Sequence, residues 1–334
     1  MKLVIILGLA GILGFTAAEA GPITFAGTLY YTNWTGGGTN VNSISYSYDQ
    51  GTQVLTLGSV HGIATTPGAD GIIFAPNGDL LVGGQGSGKV YDVNPSTGTF
   101  TSVSPGSAGA DQSSYHLSLD PTGTKFYTSN FGGALDIVPL PFGTQGSTRT
   151  VSGGDNGLTQ IAFAPVTGNV FYVNGQPNGG GNLGTINLTT GVTARLFTGV
   201  LPAHGLIYDP FTGLMTIFGA GETGTFDQSG ANLKTSSSMA CDFDQGAVDG
   251  QGHALVAGCN SITFIDYSLS HDITHPDKVI VTSGFNFIDD VAPLVGAGSG
   301  GQTTPEPSTV LLVGAGIAVL VFLQKKQATT KANR

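Results

Sequence analysis

Three aspartates and two histidines are the residues of this chain best suited to chemistry. Asp70, Tyr115, Thr159, His204, Asp244 and Asp289 share one equivalent position in a recurring pattern, and Gly71, His116, Gln160, Gly205, Gln245 and Asp290 follow one step on. Asp70, Asp244 and Asp289 come from neighbouring copies once the pattern closes into a ring, so three carboxylates crowd one arc. Oxygen donors on adjacent rigid strands suit a hard cation such as Ca2+, held at about 2.4 Å with water completing the shell. Read without an ion, the same side chains are the polar lining of a water-filled axis, and both readings stand. Asp70, Tyr115, His116, Gln160 and His204 are the candidate channel-binding residues, and a histidine at a strand start is either a base or a hydrogen-bonded wall residue.

The elements that position these residues follow from a repeat. The stretches "IIFAPNGDLLVGG", "LSLDPTGTKFYTS", "IAFAPVTGNVFYV" and "LIYDPFTGLMTIF" superpose, and their turn glycines Gly78, Gly123, Gly168 and Gly213 fall 45 residues apart. A looser copy, "AVDGQGHALVA", carries Gly252. Each copy reads as strand, tight turn, strand: proline pre-sets one backbone angle, glycine accepts a positive one, and alternation marks half-buried strands. Two weaker strands follow each hairpin, and four strands per repeat of this length is the period of a propeller blade.

The ends complete the count. "TLYYTN", "SISYSYDQ" and "VLTLGSV" supply three strands without a leading one, and "FNFIDDVAPLVG" supplies a lone leading strand. The sequence therefore predicts an all-β, six-bladed β-propeller over residues 21–297, clasped by pairing its C-terminal strand with its N-terminal three, which removes the open edge. Composition agrees: 54 glycines in 334 residues and 10% charged side chains suit a turn-rich β protein. The formal net charge of −10 argues against a nucleic-acid partner. Cys241 and Cys259 are the only cysteines. With Val248 placed opposite His253 in the last hairpin they fall nearly across from each other, within disulfide range.

Both chain ends speak of export. Residues 1–20 read as a signal peptide: Lys2, the apolar run Leu3 to Phe15, and the small-x-small site Ala18-Glu19-Ala20. Residues 298–309 form a Gly/Ser/Thr/Pro linker containing Pro305-Glu306-Pro307, residues 310–324 a membrane helix, and residues 325–334 a basic tail placed in the cytoplasm by the positive-inside rule. The apolar run Val310 to Leu323 spans about 21 Å as a helix against a hydrocarbon core of about 30 Å, which suits a transient anchor.

Tripeptide, apolar helix and basic end, in that order, resemble the PEP-CTERM sorting signal. That resemblance implies an exosortase as partner, an inner-membrane-anchored precursor, and delivery to the cell surface or outside the cell. The blades resemble the NHL-repeat, gluconolactonase and streptogramin-lyase propellers through the hairpin typified by "DGIIFAPNGDLLV". Lactonases of that type hold a divalent metal with carboxylate and asparagine side chains, and the lyases use a channel histidine as base. Glutamate is missing from every channel position here, a departure from the lactonase pattern. The expected function is a non-enzymatic exported propeller that binds an exopolysaccharide or a surface protein; the alternative is a metal-dependent lactonase or lyase working in the channel.

Overall fold

The structure, a computed structural model, describes residues 24–34, 38–175 and 181–300. Among these there is no helix, and none long and apolar enough to cross a membrane. The expected signal peptide, the Pro305-Glu306-Pro307 motif, the membrane helix and the basic tail lie outside the described residues.

Six sheets make a six-bladed propeller. Blade one takes its innermost strand, Ile288–Val291, from the C-terminal end and the outer three, Thr24–Asn33, Val41–Asp49 and Val54–Ala64, from the N-terminal end. The innermost strands of the other blades are Ile72–Phe74, Leu117–Leu119, Gln160–Phe163, Ala203–Asp209 and Gly246–Val248. Each touches the next, and the last touches Ile288–Val291, so the ring is closed.

Period-two alternation builds the seams. Ile72 and Ile73 are both buried, yet Ile72 packs between blades one and two and Ile73 between blades two and three. A strand with both faces covered can bury consecutive side chains. Six apolar clusters fill the six seams, and the one between blades six and one, where Tyr48 meets Phe264, welds the clasp. The turn glycines Gly78, Gly123, Gly168, Gly213 and Gly252 all have positive φ, between 68° and 94°, which a side chain would oppose.

The hairpin of blade six is shifted by one residue from the sequence expectation: Val248 pairs with Ala254, and Gly246 with Val256. The cause is a wider turn. Asp249 N donates to His253 O at 3.0 Å, and Asp249 Oδ1 accepts from Gln251 N at 2.7 Å and His253 N at 3.0 Å. Cys241 and Cys259 lie beyond the ladder at its open end, one before Gly246–Val248 and one just after His253–Gly258, and are joined by a disulfide with a Cα–Cα distance of 6.2 Å. The chain also stays packed past residue 297, with Phe74 N donating to Gly298 O at 2.6 Å.

Candidate functional site

The channel mouth lies where innermost strands begin and second strands end. Close approach of the blades is possible there because Gly71 and Gly205 lack side chains. A Cβ on Gly71 would stand 2.5 Å from Tyr115 O and 2.7 Å from His116 Cα, and one on Gly205 would stand 2.9 Å from Asp244 O. Bare backbone at these points lets neighbouring blades bring their polar side chains together.

His116 of blade three is at the centre. Its ring is 3% exposed, with Nε2 at 3.5 Å from Asp244 Oδ1 and Nδ1 at 3.2 Å from Asp290 Oδ2. The second approach is off the hydrogen-bonding line, so His116 Nδ1 and Asp290 Oδ2 are buried without hydrogen-bond partners. His204 of blade five brings Nδ1 to 3.1 Å from the same Asp244 Oδ1, and its ring keeps 22% exposure toward the opening. Asp70 is fixed by Gln85 Nε2 at 3.1 Å and by Gly71 N at 3.0 Å. Asp290 Oδ1 accepts from Gln245 N at 3.1 Å.

Burial and mutual repulsion set the charges. Burial would lower the His116 pKa, but the carboxylates of Asp290, Asp244 and Asp70 override it and push the imidazole up to about 10. Burial, then the charge of Asp290, pushes Asp70 up to about 7. Asp289 is driven well above the carboxylate range, first by burial and then by Asp70, Asp244 and Asp290. Asp244 moves the other way: burial opposes ionisation, but hydrogen bonding and charge from His204, with the charge of His116, outweigh it. Four carboxyls thus share few negative charges, an arrangement costly to bury unless a cation or a ligand uses it.

The ligand atoms of His116, His204 and Asp244 lie within 4.8 Å of one another, as do those of Asp70, His116 and Asp290. Three donors around a tetrahedral metal at about 2.1 Å sit roughly 3.4 Å apart, and the two contacts to Asp244 Oδ1, 3.1 and 3.5 Å, match that spacing. Two imidazoles and one carboxylate fit a divalent ion such as zinc or nickel better than calcium, which prefers oxygen alone. Asp70 and Asp244 each fall in one of these groups; Asp289 falls in neither.

Other sequence candidates serve the walls. Gln160 accepts from Leu206 N at 2.6 Å, and Thr159 Oγ1 donates to Ala203 O at 2.9 Å, so both lace blade four to blade five. Tyr115 stacks on Phe131 at 4.2 Å. Two site residues were invisible as repeat positions. Phe131, 5.5 Å from the His116 ring and 6.4 Å from the His204 ring, and Gln85, on Asp70, both stand in links between second and third strands. Both have left-handed backbone, at φ 57° and 50°, as do Ala220, Cys259 and Asn260 in the equivalent links. Left-handed residues also stand in third-to-fourth-strand links, at Gln53, Asn232 and His271, so the conformation belongs to the turns of both faces; a short Gly/Asn-rich segment after each second strand was the available signal.

No protein-family model and no curated protein matches this chain. Solved structures do. The virginiamycin B lyase of Staphylococcus aureus is similar with 9% identity and a TM-score of 0.50, covering 78% of this chain and 89% of that one. A streptogramin B lyase structure gives 12% identity and a TM-score of 0.52 over 80% of this chain and 91% of its own. A catalytically inactive virginiamycin B lyase variant from Staphylococcus aureus, with quinupristin, gives 9% and 0.51 over 78% and 89%. At these identities the likeness is one of fold.

Proposed function

We propose that the protein is an exported propeller that works at its channel mouth as a metal-assisted acid–base site of the lyase or hydrolase class. The observation that carries this reading is the convergence of His116 Nε2 and His204 Nδ1 on one oxygen, Asp244 Oδ1, at 3.5 and 3.1 Å. A propeller axis needs only solvation; two imidazoles aimed at one carboxylate, with three more carboxyls beside them, exceed that need. His116, His204 and Asp244 would hold the ion, which when bound would polarise a carbonyl, ester or lactone oxygen. Asp70, pushed up to about 7, and Asp289, raised well above the usual carboxylate range by burial and the neighbouring carboxylates, supply carboxyls able to hold a proton at the same opening. Phe131 lies tilted against both rings, at 5.5 Å from His116 and 6.4 Å from His204, and gives the opening an apolar edge. The structural neighbours are named as lyases, but the reading rests on the constellation.

The test is a thermal melt of chelator-stripped protein with Zn2+, Mn2+, Ni2+ and Ca2+ added singly. A transition ion at a hundred times its dissociation constant should add about 2.7 kcal/mol, and His204→Ala should remove most of that gain. If only Ca2+ stabilised the protein, and Asp289→Ala abolished the effect, the oxygen-only arc of Asp70, Asp244 and Asp289 would be the site instead. If no ion acted, the metal would go.

Export and sorting belong to the same proposal and are supported by the two chain ends. Processing by an exosortase predicts a mature C-terminus near Pro305-Glu306-Pro307 in mass spectra of the surface fraction. Intact full-length chain there would count against it.

A further inference from the structure

A cavity away from the channel opens at the outer part of blade four. It measures about 530 Å³ and is walled by the strand Ser152–Gly153, which runs parallel to Val192–Phe197, and by the ends of Val170–Asn174 and Asn182–Ile186. Asn174 and Asn182 line it. They are 4% and 8% exposed, and the side-chain oxygen of each is buried without a hydrogen-bond partner.

The charges in this cavity are already paired. Asp155 accepts from Tyr172 Oη at 2.6 Å, from Asn182 Nδ2 at 2.8 Å, and from Arg195 Nε and Nη2 at 2.9 and 2.7 Å. Arg195 Nη2 also donates to Gly154 O. Burial works against the Asp155 charge, but these donors, Arg195 first, hold its pKa below the usual range. The pair is therefore a fixed, neutral fork, and Asp155 has little capacity left for a ligand. What remains open is two buried acceptors, Asn174 Oδ1 and Asn182 Oδ1, and the partly exposed Arg195 guanidinium.

We propose that this cavity binds a neutral carbohydrate. Two unsatisfied acceptors call for a ligand rich in donors, and the guanidinium calls for acceptors close by; neighbouring sugar hydroxyls offer both at once. Net neutrality of the fork disfavours acidic sugars, phosphates and ammonium groups. The volume lies in the range of small-ligand sites. The site is separate from the channel and does not depend on a metal.

The probes are maltohexaose, cellohexaose and laminarihexaose, with an oligogalacturonate as the charged control, titrated calorimetrically into the protein in the presence of a chelator. At least one neutral hexasaccharide should bind in the millimolar range or tighter, ahead of the oligogalacturonate. Asn174→Leu removes one orphaned acceptor at similar volume and should weaken binding about tenfold. Asn156→Trp, at an exposed edge of the cavity, fills the opening without touching the buried fork and should do the same with an unchanged melting temperature. The proposal is overturned if none of the three neutral sugars binds, if the charged control binds best, or if either variant binds as tightly as the unaltered protein. Because chelator is present throughout, failure here leaves the metal reading of the channel untouched, and the reverse also holds.

Discussion

Tyr48 donates its hydroxyl to Asp266 Oδ2 at 2.7 Å across 218 residues of chain, joining the third strand of blade one to the third strand of blade six. Both side chains are buried, Tyr48 at 0% and Asp266 at 2% exposure. His253, whose ring centroid is 5.6 Å from that of Tyr48, adds a contact to Asp249 Oδ2 at 2.7 Å. One polar contact between blades one and six is therefore set inside the apolar seam of Leu29, Ile44 and Phe264. Tyr48→Phe keeps the ring and removes the donor to an ionised acceptor, which should cost about 1.5–3 kcal/mol. Urea denaturation measures this directly; an unchanged midpoint would mean that the apolar seam alone closes the ring.

Asp136 predicts a pH dependence. Its carboxyl is 1% exposed, accepts from Thr148 Oγ1 at 2.7 Å, and leaves Oδ2 without a partner. Burial pushes its pKa up to about 6, with Thr148 opposing and Asp111 assisting. A folded pKa above the unfolded one favours the protonated native state, so this contribution is complete below about pH 3.8 and is lost as pH rises through about 6. Asp136→Asn should raise stability at pH 8 by up to about 3 kcal/mol and do little at pH 4. Denaturation midpoints of both proteins across that range supply the check, and a parallel pair of curves would remove Asp136 as the cause.

Much of this architecture was legible in the sequence, for a physical reason. A tight turn between strands needs positive φ at one place, so Gly78, Gly123, Gly168 and Gly213 mark the blades whatever else varies. The clasp was legible because a lone leading strand and a group of three cannot each bury both faces. The one-residue shift in blade six was not, since Asp249 substitutes side-chain acceptance for a tighter turn and so lengthens it. At the channel mouth, alternation places Asp289 and Asp290 on the ring of openings but cannot say which of them meets His116; packing against Gln245 N decides for Asp290. Phe131 and Gln85 sit in links of irregular length, where no period carries information.

The disulfide gives a third prediction. Cys241 precedes Asp244 by three residues and Cys259 precedes Asn260, whose side chain accepts from Phe287 N at 2.6 Å. Closing a loop of separation 18 should contribute about 3 kcal/mol by the chain-entropy account. The double substitution of both cysteines by serine should lower the unfolding free energy by that amount, read as a lower denaturation midpoint, and weaken metal stabilisation by freeing the approach to Asp244. An unaltered midpoint would show that seam packing alone fixes this corner.

Gly71 is where fold and site meet most closely. It follows Asp70 and faces the start of blade three, so the Cβ of Gly71→Ala would stand 2.5 Å from Tyr115 O and 2.7 Å from His116 Cα and Leu117 N. All three are backbone atoms at the entry to the innermost strand Leu117–Leu119, which contacts both neighbouring blades, and none can rotate away. Relief requires blades two and three to separate, at a cost of about 1–3 kcal/mol or more. Separation would draw His116 from the Asp70 side of the mouth while leaving His204 and Asp244, on blades five and six, in place. Gly71→Ala should therefore lose most of the stabilisation by a transition ion but keep sugar binding at blade four, and the two titrations run on one preparation separate that outcome from general misfolding. Unimpaired metal stabilisation in a stably folded Gly71→Ala protein would mean that His116 is not a ligand and that His204 and Asp244 hold the ion without it.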